Sequence, residues 1–113
     1  MERKYLGKIN SVKFGLVGYQ EAMFGLSLDF RFDGSSGCAT TITGGWSNSI
    51  ECTENCKWTE KDRNKQRAEM CQQVNQLLID AKVEYVDQLQ GKPIEITLDG
   101  QSFKEFRILT EVL

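Results

Sequence analysis

Apolar and polar residues alternate over two stretches near the start of the chain. Val12, Phe14 and Leu16 interleave with Ser11, Lys13 and Gly15, the period of a strand with one buried face. After the loop VGYQEAM the pattern is cleaner. Phe24, Leu26, Leu28, Phe30 and Phe32 share one face, and Gly25, Ser27, Asp29, Arg31 and Asp33 take the other. DGSSG turns the chain into CATTITGGW, a Thr-rich third strand that ends in two glycines and Trp46. A hairpin is the simplest link between the second and third strands. Residues 47–57 are polar and without period, which predicts a loop.

Helical periodicity begins near Trp58. Thr59 stands as an N-cap, with Glu60 and Asp62 in the first turn where the helix dipole favours acids. The helix should run to about Lys82 or Val83. VDQLQGKP ends it, Ile94, Ile96 and Leu98 alternate as a fourth strand, and Asp99-Gly100 sits at a hairpin turn. In SFKEFRILTEVL, Phe106, Ile108 and Val112 are expected on one side, and Phe103, Arg107 and Leu109 on the other. The order β-β-β-α-β-β predicts an α+β fold, an antiparallel sheet packed against one long helix, as a single domain over residues 1–113.

The helix contains an anomaly in its charge pattern. At about 100° per residue, with Arg63 at 0°, Arg67 falls at about 40°, Met70 at about 340° and Val74 at about 20°. Lys61 and Lys65 fall at about 160° and 200°, on the far side. The lysines are therefore solvated, whereas the arginines continue the apolar stripe. Two readings follow for Arg63 and Arg67. They lay their stems on apolar neighbours and pair with a carboxylate from Asp29, Asp33 or the loop. Alternatively, they line a cleft and present guanidinium forks to an anion, which suits phosphate oxygens. Arg107 on the last strand, with Phe103 nearby, adds to the second reading, as does Arg31 on the second strand. Phe24 and Trp46 supply flat rings for a base, and the glycines before Trp46 leave room beside the backbone. Aromatic residues in strands are also ordinary packing.

Composition narrows the function classes. A net charge of -2 and a pI near 5.2 argue against binding of DNA or RNA polymers. No apolar run reaches the roughly 20 residues of a membrane span, and Met1 leads directly into Glu2, Arg3 and Lys4 without a signal peptide, so a cytoplasmic location is expected. The chain has no histidine, the commonest general base near neutral pH, and no motif that frames a nucleophile or a phosphate loop. No cofactor is implied. Cys38, Cys52, Cys56 and Cys71 are read as reduced thiols; their C-x-x-x-C spacing is a poor match to zinc knuckles.

Four stretches together resemble a known family: GYQEAMFGLS, CKWTEKDR, LLIDAKVEYVDQLQGKPIEITLDG and FKEFRILTEVL. They are similar to the phage-encoded Thoeris anti-defence proteins of the first type. The resemblance implies a non-enzymatic sponge that sequesters cyclic ADP-ribose signals made by bacterial TIR-domain proteins, inside the infected host cell. In some relatives it also implies a separate site for cyclic oligonucleotides. It implies a homo-oligomer built from dimers, with the signal held in clefts near the subunit contact. Arg63 and Arg107 lie within matching motifs. Arg67, Trp46, Phe24 and Phe103 rest on the residue pattern alone. A protein-binding inhibitor of a host target is the alternative, and a metal-dependent phosphodiesterase using Asp or Glu ranks behind both.

Overall fold

A computed structural model of the protein describes residues 1–33 and 37–113. The residues of the DGSSG turn at positions 34–36 lie outside them. Five strands form one antiparallel sheet: β1 (Glu2–Val17), β2 (Met23–Phe32), β3 (Cys38–Trp46), β4 (Pro93–Asp99) and β5 (Ser102–Ile108), in the spatial order β3-β2-β1-β4-β5. The one long helix, α1 (Glu60–Ala81), connects β3 to β4. The fold is α+β, as the pattern predicts, and no helix among the described residues is long and apolar enough to cross a membrane.

The first strand differs most from expectation. It is 16 residues long and extends the predicted segment back to Glu2. Its first half pairs with β4 from Glu2↔Asp99 to Lys8↔Pro93, and its second half pairs with β2 from Gly7↔Phe32 to Val17↔Met23. Gly7 belongs to both ladders, and a side chain there would run into the Arg31 carbonyl. The first half carries too few apolar residues to reveal itself. Tyr5 and Ile9 face the core, while Leu6 on the other face is 60% exposed.

Two bulges set the faces. The ladder slips between Ile9 and Ser11, so that Ile9 opposite Phe30 and Val12 opposite Leu28 both turn toward the helix. A second slip, between Thr97 and Leu98, pairs Leu98 with Phe103 and Thr97 with Glu105. Lys104 is the extra residue, and Phe103 therefore joins Phe106 and Ile108 instead of lying opposite them. Strict alternation cannot foresee this. The strand also stops at Ile108, and Val112 lies in a short 3-10 turn, not in the strand.

The core is built around Phe30, which is fully buried, with its ring centroid 5.9 Å from that of Phe103 and 4.7 Å from that of Phe106. Leu26, Leu28 and Phe32 from β2, Ile94, Ile96 and Leu98 from β4, and Ala81 of the helix, with Ile9, Leu89 and Ile108, make up the rest of it. The helix lies chiefly against β3. The far end of β1 is left uncovered, and Phe14 and Leu16, although on the helix side, are 50% and 58% exposed.

Phe30→Ala should lower unfolding free energy in urea by about 3–5 kcal/mol, because it removes the ring on which both β5 aromatics rest. Leu6→Ala, on the open face, should change it by less than about 0.5 kcal/mol.

Candidate functional site

The start of α1 is pinned by its own sequence. Thr59 Oγ1 accepts from the Asp62 backbone N–H at 3.2 Å, and the Asp62 carboxylate accepts from the Thr59 N–H at 2.8 Å, a complete capping box. Arg63 and Arg67, one turn apart, then turn inward with Met70, which is buried, while Lys61 and Lys65 are exposed.

The two arginines have different fates. Arg63 is 4% exposed and bonded through both of its Nη atoms, while its Nε is buried without a partner among the described residues. Its Nη2 donates to the Ile50 carbonyl and lies 3.1 Å from a Glu60 carboxylate oxygen, and Nη1 donates to Asn48 Oδ1 at 3.5 Å. The guanidinium carbon sits 4.6 Å from the Trp58 ring centroid. Trp58 precedes the N-cap and Arg63 is the fourth helical residue, the positions of a hydrophobic staple, here filled by a cation on an aromatic face. The carboxylate that Arg63 finds is Glu60, from its own helix turn, and not Asp29 or Asp33. Asp29 accepts instead from Ser11 and Thr40, whose hydroxyls, Thr40 first, hold its carboxyl below the usual range.

Arg67 is half-buried and has no carboxylate partner among the described residues. Its Nη2 donates to the Trp46 carbonyl at 3.0 Å and to Asn48 Oδ1 at 2.8 Å, and its head lies 5.5 Å from the Phe24 ring centroid. Nη1 makes no hydrogen bond among the described residues. Arg67 lines a hollow of ≈ 260 Å³ with Leu16, Phe24, Ser47 and Asn48. Ser47 is itself buried and tied to the residue just before β2 by its backbone N–H, which donates to the Ala22 carbonyl at 2.8 Å. Asn48, whose side-chain oxygen serves both arginines, is the hinge between the filled site and the open one.

Of the residues singled out from the sequence, Arg63, Arg67, Trp46 and Phe24 gather here. Trp46 does so mainly through its carbonyl; its ring stacks on Trp58 at 6.1 Å and 23°. The space that the glycines before it were expected to leave is occupied, because a side chain on Gly45 would strike Gln66 of the helix. Arg107 and Phe103 do not join the group. Phe103 is core, and Arg107 lies on β5 at the opposite edge of the sheet from β3. Each Arg107 nitrogen is already committed: Nε to Glu95 at 3.1 Å, and Nη1 and Nη2 to the two Glu111 oxygens at 3.0 Å each. The Glu111 and then the Glu95 bonds hold the guanidinium well above its ordinary pKa, and the Glu111 carboxyl is lowered in turn. Arg31 is exposed on the sheet face away from the helix, beside Lys8.

Asn48, Ser47 and Leu16 were not legible as site residues. Nothing in a polar, aperiodic loop marks Asn48 as a bridge, and Leu16 reads as core until the helix proves too far toward β3 to cover it. Among the described residues no three Cys, Asp or Glu side chains gather to hold a metal ion. Comparison of the chain with family models, with curated protein sequences and with solved structures returned no match.

The division of labour has a stability signature. Arg63→Ala should cost about 2–4 kcal/mol in chemical denaturation, because buried charge-assisted bonds are lost and loop acceptors are left dry. Arg63→Lys should recover little of this, lacking the planar fork. Arg67→Ala should cost about 1 kcal/mol.

Proposed function

We propose that this protein is a non-catalytic sponge for a cyclic ADP-ribose-type signal produced by TIR-domain proteins, acting in the cytoplasm of an infected bacterial cell to blunt anti-phage defence. Support comes from the resemblance in sequence and from one structural observation: Arg67 is a half-buried cation without a carboxylate partner among the described residues, on the wall of a hollow floored by the Phe24 ring and Leu16. A guanidinium with a free edge suits a phosphate oxygen, and the adjoining apolar floor suits a base or ribose.

Energetics argue for more than one subunit. A sponge that outcompetes a receptor needs nanomolar affinity, about -12 kcal/mol. One charge-assisted contact gives about 1.5–3 kcal/mol and one stacked base about 1–3 kcal/mol, before the entropy of association is subtracted. The ≈ 260 Å³ hollow falls below the size of most ligand pockets, roughly 300–1,000 Å³. A second copy closing over it would exclude water and strengthen each polar contact. Phe14 and Leu16, exposed beside the hollow, offer the apolar surface that such a contact would bury. This accords with a dimer-based assembly.

A second reading, a protein-binding inhibitor of a host target, draws on the same apolar strip and on Tyr19, which is 86% exposed on a turn whose neighbours Gln20 and Glu21 have φ of 56° and 57°. Left-handed non-glycine residues of this kind cluster at ligand clamps and switch regions.

The deciding experiment incubates the protein with a cyclic ADP-ribose isomer, removes free ligand, denatures the complex and identifies what is released by mass. Unchanged ligand is expected, with Arg67→Ala lowering retention at least tenfold at unaltered fold. Recovery of a cleaved product makes the protein an enzyme. No retention at micromolar ligand, together with capture of a stoichiometric host protein by wild type and Arg67→Ala alike, selects the second reading.

A further inference from the structure

The loop that holds both arginines also carries a pair of thiols. Cys52 and Cys56 flank a tight turn closed by the Cys56 backbone N–H donating to the Thr53 carbonyl at 3.1 Å, which folds the Cys56 sulfur back to 3.3 Å from the amide nitrogen that follows Cys52. Both are partly exposed. The Cys52 thiol donates to the Trp58 carbonyl at 3.2 Å. The Cys56 sulfur accepts from the Thr53 N–H at 3.3 Å, lies 3.7 Å from the Thr53 hydroxyl, and its thiol donates to the Glu51 carbonyl at 3.5 Å. Trp58 is the residue whose ring backs Arg63 and stacks on Trp46. One end of this thiol pair is thus bonded directly to the residue that supports the arginine site.

We propose that Cys52 and Cys56 are a covalent modification site, a dithiol that closes to a disulfide by exchange with a low-molecular-weight disulfide and thereby loosens the Trp58–Arg63 contact. Cys56 attacks first. The Thr53 N–H, then the Thr53 hydroxyl, hold its thiol below the ordinary pKa, whereas burial, followed by the nearby Cys56, pushes Cys52 up. A thiolate accepting a backbone N–H bond is the better nucleophile, and its protonated neighbour is placed to resolve. In the first step the Cys56 sulfur bonds to one sulfur of the small disulfide, whose S–S bond breaks and releases one thiolate. In the second, Cys52 attacks the Cys56 sulfur of the mixed disulfide and the second small thiolate leaves. The two protons lost from the cysteines end on the two released thiols, so one disulfide is reduced as another forms. Closure removes both S–H donors. The Trp58 and Glu51 carbonyls lose their bonds, and Cys52 is drawn away from Trp58 toward Cys56. The chemistry stands apart from any ligand; its consequence for nucleotide capture rests on the sponge reading.

The test uses the full chain carrying Cys38→Ser and Cys71→Ser, which removes the two exposed thiols, with oxidised glutathione as the oxidant. Peptide mapping should show a Cys52–Cys56 disulfide and two equivalents of released glutathione, reversed by dithiothreitol, with a change in tryptophan emission. Adding Cys52→Ser should trap glutathione on Cys56, and adding Cys56→Ser should slow glutathione uptake roughly tenfold. Equal reactivity of the two single-thiol variants, absence of the internal disulfide, or closure with unaltered tryptophan emission would each overturn the proposal. None of these readouts involves nucleotide, so they leave the sponge reading to its own experiment.

Discussion

A buried guanidinium needs acceptors for its charged fork, and Arg63, bonded through both Nη atoms although its Nε stays unpartnered among the described residues, is the buried cation around which this end of the molecule is arranged. At 4% exposure it requires acceptors from the chain, and it takes the Ile50 carbonyl, Asn48 and Glu60. These contacts draw a polar stretch with no secondary structure of its own down onto the first turns of α1. Asn48 then lies where it also receives Arg67, and Ser47 closes the wall against Ala22, just before β2. Residues 47–57 owe their course to that requirement, since they contribute no residue to the main hydrophobic core.

The second arginine inherits its setting from the first. Arg67 reaches only neutral oxygens, at Trp46 and Asn48, so its charge is left uncompensated within the described residues. The sheet adds the apolar half of the hollow because α1 lies toward β3, leaving Phe14, Leu16 and part of Phe24 open. Arg107 shows the contrast. It has the same chemistry on an exposed strand, but with two carboxylates it is an internal ion-pair network and offers no vacancy.

Much of the architecture was legible because its signals are local. The alternation from Phe24 to Phe32, the capping residues Thr59 and Asp62, and the stripe Arg63, Arg67, Met70 and Val74 each carry their period in adjacent residues. What escaped was non-local. The first half of β1 has little apolar content and is a strand because β4 pairs along it. Phe103 changed faces through a bulge at Lys104, which a period of two cannot express. The site was half legible: the inward turn of the arginines followed from the helical wheel, but the loop acceptors that separate an Arg63 bonded at both Nη atoms from an available Arg67 did not.

That separation is the central claim, and NMR of the guanidinium protons addresses it directly. The Nη–H signals of Arg63 and Arg67 would be assigned by substitution and followed at low temperature as inorganic pyrophosphate is added. The account predicts that the Arg67 signal shifts in a saturable manner while the Arg63 signal stays in place and exchanges slowly with solvent. An Arg63 signal that exchanges as fast as a surface arginine, or that moves with pyrophosphate while Arg67 stays fixed, would contradict it.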